Sequence, residues 1–181
     1  MTYRNVVSAV VRALAAESIN STGGCDFEPK VQCAKQKGQI VGKEASFLLD
    51  CWVFGRLHKA LNQQHWRVLV AKYSTHVERK HTAIAELTRS VGSPAPKRFL
   101  HCAVVTWALP KRPGMDGKRS TNVLPAGWYE MDNWSDEPYP IKTQERWRRE
   151  IRKALEREVD EALLLAQVLL DAEGLIETKA A

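Results

Sequence analysis

The chain has 181 residues, 44% of them hydrophobic and 27% charged, with a formal charge of +6 and a pI of about 9.2. That length fits one domain, or one domain with an appended arm, and can bury a sizeable core. The basic balance admits an anionic partner, and no apolar run approaches the roughly 18–20 residues that span a bilayer, which excludes a membrane-spanning helix.

The first segment, MTYRNVVSAVVRALAAE, has the outline of a signal peptide. Arg12 and Glu17 interrupt its apolar stretch and no small-residue cleavage site follows, so a cytoplasmic location is expected. Val6, Val7, Val10, Val11 and Leu14 recur at helical spacing and predict a helix over 3–17. Residues 20–42 hold four glycines and one proline with little periodicity, and predict a loop. Its Cys25 and Cys33 have seven residues between them, poor zinc-site spacing; a metal joining them to a histidine stays open, but no metal or other cofactor is expected. Cys51 and Cys102 sit in apolar helical patterns, where a reduced cysteine acts as a small buried hydrophobe.

Residues 44–62 are apolar on one side through Phe47, Leu48, Cys51, Trp52, Phe54 and Leu57. Residues 63–74 place Trp66, Leu69, Val70 and Tyr73 on one face. After a polar break, THVERK, helices are predicted at 81–91 and 94–109. Residues 110–141 carry five of the eight prolines and no sustained period, which predicts a long Pro/Trp-rich loop or arm. A last helix is expected from Thr143, as its N-cap, to about Ala172, with Gly174 ending it. The chain therefore reads as all-α: a helical domain at 1–109, an arm at 110–141, and a helix at 142–175 packing on the same domain.

Within the helical domain, Leu69, Ile84, Leu87, Leu100 and Val104 are spaced to close a small three-helix core over about 63–109. In a helix-turn-helix of this kind the start of the third helix reaches base edges and the preceding helix faces the backbone. Ser93 is expected as the third helix's N-cap with Pro94 in its first turn, and Pro96, Leu100, Ala103, Val104 and Trp107 as its apolar stripe. Lys97, Arg98 and His101 then fall on the opposite side, Arg98 suited to a guanine and Lys97 to a phosphate, with Arg89 on the helix before. The alternative is a helical corner with a solvated basic face.

LNQQHWRVLVAKY followed by AIAEL resembles the helix-turn-helix of sigma-factor region 4, through Leu61, Val68, Leu69, Tyr73, Ile84, Ala85 and Leu87. Two departures stand out: a longer break after Tyr73 and a looser turn between Leu87 and Pro94. More broadly, residues 44–109 resemble the Q-type transcription antitermination proteins of phages and prophages, which include activators of bacterial lysis programmes. The resemblance implies a prophage-encoded, nucleoid-associated factor that binds double-stranded DNA beside a promoter. It would load onto sigma-containing RNA polymerase and narrow the RNA exit channel, so that nascent RNA forms no terminator hairpin.

The arm divides in two. Its flank KRPGMDGKR is basic, as polynucleotide-contacting loops often are, which adds Lys111, Arg112, Lys118 and Arg119 to the candidate DNA contacts. The following LPAGWYEMDNWSDEPYP is acidic and aromatic. Trp128, Tyr129 and Trp134 suit an anchor on polymerase or sigma if exposed, or cover the protein's own core if folded back.

In the last helix, Arg146, Arg148, Arg149, Arg152 and Lys153 crowd the first half, against the helix dipole. They suit a DNA or RNA backbone, or a solvated face with pairs such as Glu145–Arg149. Leu155, Val159, Ala162, Leu163, Ala166 and Leu170 form a packing stripe in the second half.

No phosphate loop, HExxH or nucleophile elbow is present, so no catalytic residue is assigned and an enzyme is not expected. The remaining alternatives are a conventional helix-turn-helix activator or repressor, and a magnesium-dependent nuclease built on Asp132, Asp136 and Glu137.

Overall fold

A computed structural model of the protein describes residues 3–21, 43–114 and 120–177, and in them the chain is all-α. The helices are α1 (Val6–Ser21), α2 (Lys43–Ala60), α3 (Gln63–Tyr73), α4 (Val77–Ser90), α5 (Lys97–Ala108) and α6 (Ile141–Ala172). Between α5 and α6 lie a short antiparallel ladder, β1 (Arg112–Pro113) with β2 (Ser120–Thr121), and two 3-10 turns, Ala126–Tyr129 and Met131–Trp134. Cys25, Cys33, Lys118, Arg119 and nearly all of the loop expected at 20–42 fall outside the described residues. No described helix is long and apolar enough to cross a membrane.

The core is built along α6. Trp147, Ile151, Leu155, Val159, Ala162, Ala166 and Leu170 recur every three or four residues and are buried in one stripe against α1, α3 and α5. The expected stripe is met except at Leu163, which is half-buried. Gly174 ends the helix at φ 66°, where the Leu175 N–H donates to the Leu170 carbonyl (2.9 Å) and the Gly174 N–H to that of Asp171 (3.0 Å). Only a residue that tolerates positive φ closes both bonds at that position. Just beyond, the Tyr3 N–H donates to the Leu175 carbonyl (2.7 Å) and the Glu177 N–H to the Tyr3 carbonyl (2.9 Å), so the segment before α1 is clasped to the segment after α6.

Helix α1 begins at Val6 rather than 3, where the Asn5 side chain accepts from the Ser8 N–H at 2.8 Å. Three further helix starts differ from expectation, each for a local reason. Helix α4 begins at Val77 rather than 81, because His76 serves as N-cap and its Nδ1 accepts from the Arg79 N–H at 3.5 Å. The polar run THVERK hides this start, and the break after Tyr73 shrinks to Ser74–His76. Helix α5 begins at Lys97, not Pro94: Ala95 precedes Pro96 and is barred from the helical region, so Ser93 instead accepts from the Ala95 N–H at 3.2 Å in a local turn. Helix α6 starts directly after Pro140, whose carbonyl takes the N–H of Thr143 (2.8 Å), so Thr143 already lies in the first turn instead of capping it.

Faces also shift where a helix is apolar all round. In α2 the fully buried side chains are Val53 and Leu57, while Leu48 and Trp52 of the expected stripe are exposed. In α1, Val10 and Leu14 are buried with Ala9 and Ala13, while Val7 and Val11 face outward. Asp50, buried on α2, holds α1 in place: it accepts from the Tyr3 hydroxyl (2.7 Å) and from Arg12 (3.0 Å). Burial, with the hydrogen bond to Asp50, pushes the Tyr3 hydroxyl well above its ordinary pKa.

Glu156 ties three helices. From α6 it receives hydrogen bonds from Lys72 of α3 and from the Trp107 indole of α5, the latter at 3.0 Å. Burial alone would raise its pKa, but the bonds from Lys72 and Trp107 and the charges of Lys72 and Arg152 together hold it below the usual carboxylate range. A lowered folded-state pKa gives stability that is present above the unfolded value near 4.3 and lost as pH falls through the folded one. Urea unfolding should show Glu156→Gln weaker than wild type by about 1 kcal/mol at pH 7, with the two converging below about pH 4.

Candidate nucleic-acid interface

Helices α3, α4 and α5 pack against one another, and Leu69, Ile84, Leu87, Leu100 and Val104 are all buried between them and α6. The α4–α5 connection spans 91–96, a six-residue turn held open by Pro94 and Pro96. On α5 the buried residues are Phe99, Leu100, Cys102, Ala103, Val104, Val105 and Ala108, while Lys97, Arg98 and His101 are exposed. Trp107, placed in the expected stripe, is half-buried.

The start of α5 is a place for negative charge. It has no side-chain cap and no acidic residue in its first turn. Its first N–H groups thus join the cations of Lys97 and Arg98, a combination that favours phosphate. Arg98 is engaged by a carboxylate already, the ion pair with Asp136, both partners being solvent-exposed. Lys97 makes no ion pair among the described residues. Arg89, exposed in the last turn of α4, flanks the same turn.

The segment expected as a free arm lies along α5. Trp134 is 1% exposed, its ring edge-on to Phe99 at 5.1 Å, and its indole N–H donates to the Trp128 carbonyl at 2.8 Å. It cannot serve as an exposed polymerase anchor; it is core. Tyr129 is committed as well: its hydroxyl donates to the Leu109 carbonyl (2.9 Å) and accepts from the N–H of Leu124 (3.2 Å), fastening the segment to the end of α5. Trp128 is half-buried beside His101, with ring centroids 6.1 Å apart. Between α5 and the 3-10 turns runs a cleft of about 430 Å³ bordered by Arg98, His101, Trp128 and Asn133. The side of α5 expected to be clear for a duplex is therefore shared with residues 126–136.

The remaining candidates do not converge on the α5 start. Lys111 and Arg112 follow the other end of α5, with Lys111 5.0 Å above the Tyr129 ring. Twelve helical residues separate the two groups by roughly 18 Å, so they can touch one duplex only at different phosphates. Two of the three carboxylates of the nuclease alternative are engaged, Asp136 by Arg98 and Glu137 by the Tyr139 hydroxyl at 2.8 Å.

A second basic surface lies on α6. Lys142, Arg146, Arg149 and Lys153 follow one another at helical spacing on the side opposite the buried stripe, all exposed and without an ion pair among the described residues. The Glu145–Arg149 pair suggested by spacing is not formed. Phe99, fully buried beneath the start of α5, is absent from the expected stripe because two cations precede it and mask the inward turn of the helix.

No protein-family model, no curated protein and no solved structure matches the chain.

Proposed function

We propose that the protein binds double-stranded DNA through the α4–α5 unit and acts as a transcription antitermination factor on sigma-containing RNA polymerase. The observation that carries the DNA-binding part is the start of α5: an uncapped helix end bearing exposed Lys97 and Arg98, braced from behind by buried Phe99 and Leu100. That pose suits insertion of a helix start into a major groove, with cations at base edges and phosphates. The outward stripe Lys142, Arg146, Arg149 and Lys153 adds a second strip of positive charge for a polynucleotide backbone, DNA or nascent RNA. The antitermination part rests on the likeness of residues 44–109 to the Q-type proteins.

The test is transcription by purified polymerase and sigma through a terminator placed downstream of the cognate promoter. Added protein should raise readthrough several-fold, and deletion of a promoter-proximal DNA element should abolish the gain. A change in initiation with unchanged readthrough would instead identify a conventional activator or repressor.

A further inference from the structure

We propose that His65, Glu158 and Glu161 form a binding site for one divalent transition-metal ion of the zinc class, clamping α3 to α6. His65 sits in the first turn of α3, where its N–H donates to the Asn62 side-chain oxygen at 2.7 Å, so its backbone is fixed by the helix cap. Glu158 and Glu161 are one turn apart on α6 and reach toward the same imidazole. The His65 Nε2 lies 3.9 Å from Glu158 Oε2 and 3.8 Å from Glu161 Oε2, and the three ligand atoms all fall within 4.8 Å of one another.

Those separations are too long for hydrogen bonds and suit a shared cation. A hydrogen bond from an imidazole N–H to a carboxylate closes to about 2.7–3.2 Å. An ion with bonds of about 2.0–2.2 Å to nitrogen and oxygen, by contrast, holds its ligands more than 3 Å apart. The imidazole is otherwise unsatisfied: its Nδ1 is buried and has no hydrogen-bond partner, and the side chain is only 12% exposed. At 3.8–3.9 Å from both carboxylates Nε2 has no hydrogen bond of normal length, and a metal held between it and the two glutamates would supply the missing partner. One imidazole and two carboxylates match zinc-class ions, and the two negative charges balance a divalent one. Glu161 is 54% exposed, which leaves a solvent-facing side for exchangeable ligands. The nearest competitor is Arg157, whose Nε stands 3.7 Å from Glu161 Oε1, the oxygen not turned to His65.

The experiment uses the full chain, stripped of metal with chelator and titrated with Zn²⁺ by calorimetry, with melting temperature read in parallel. One equivalent should bind and raise the melting temperature. His65→Ala and the near-isosteric Glu158→Gln/Glu161→Gln pair should each weaken binding by roughly tenfold or more, since loss of even an outer-shell partner costs about that much. His81→Ala, at an exposed histidine outside the cluster, should leave binding unchanged. Circular dichroism of the Gln pair separates loss of the site from loss of the fold. Co²⁺ should compete, and its visible absorption should change in wild type and not in the Gln pair. Failure to bind one equivalent, or Zn²⁺ affinity that survives in a folded Gln pair, would overturn the proposal.

Discussion

Replacing Trp134 with Ala will cost the protein about 3–5 kcal/mol of stability, the range for emptying a buried indole site. The side chain fills the space between α5 and the start of α6: it meets Phe99, which in turn meets Trp147 at 5.5 Å, and Arg148 lies 5.7 Å above the indole. Its N–H bond to Trp128 also holds one 3-10 turn to the other, so the truncation frees a carbonyl as well as a cavity. For a chain of this size such a loss lowers the melting temperature by roughly 6–20 °C. Thermal melting followed by circular dichroism reads the effect. An unchanged melting temperature would mean that Trp134 is not in the core, and would return it to the surface as a candidate anchor. Trp128, half-buried at the cleft, is the aromatic of the three still able to meet a partner: Trp128→Ala should spare folding, and loss of polymerase retention alone would mark it as the contact.

The second large effect concerns DNA. Lys97→Ala combined with Arg98→Ala should weaken DNA binding by about 2–4 kcal/mol, or roughly 30- to 1,000-fold, and flatten the dependence of log affinity on log salt by about 1–2. Asp136→Asn should act in the opposite direction. In the free protein the Asp136 carboxylate occupies Arg98, and a duplex must displace it. Removing that charge should tighten binding several-fold at low salt, with less gain as salt screens the exposed pair. Fluorescence anisotropy with a labelled duplex across a salt series measures all three proteins. If the double variant binds as well as wild type, the α5 start is not the interface, and the α6 stripe with Arg146 and Arg149 becomes the surface to test.

Much of this was written in the periodicity. The α6 stripe, the Gly174 stop and the five residues closing α3, α4 and α5 are legible because their apolar spacing is regular and their neighbours are polar. Legibility fails where that contrast vanishes. In α2 apolar residues ring the helix, so spacing alone does not show that Leu48 and Trp52 face water. At Pro96 a backbone restriction on Ala95 overrules a plausible serine cap. The segment 126–136 has no period at all, and only its tertiary contacts, Tyr129 to Leu109 and Trp134 to Phe99, reveal that it lies along α5 with Trp134 in the core. The cluster of His65, Glu158 and Glu161 was invisible for another reason: more than ninety positions separate His65 from the two glutamates, and only the packing of α3 on α6 brings them together.

The clasp between Tyr3 and residues 175–177 bears on how the molecule is made. Synthesis proceeds from the first residue, yet the main-chain partners of Tyr3 are added some 170 positions later. The faces of α1, α3 and α5 that α6 covers must wait for Ile141–Ala172 to be made, at about 5–20 residues per second. A growing polypeptide therefore emerges from the ribosome with its sticky surfaces unroofed, and closes them only once the last helix is free of the exit tunnel. Tethering residues 175–177 to a stalled ribosome should leave an aggregation-prone, protease-sensitive chain that becomes compact on release.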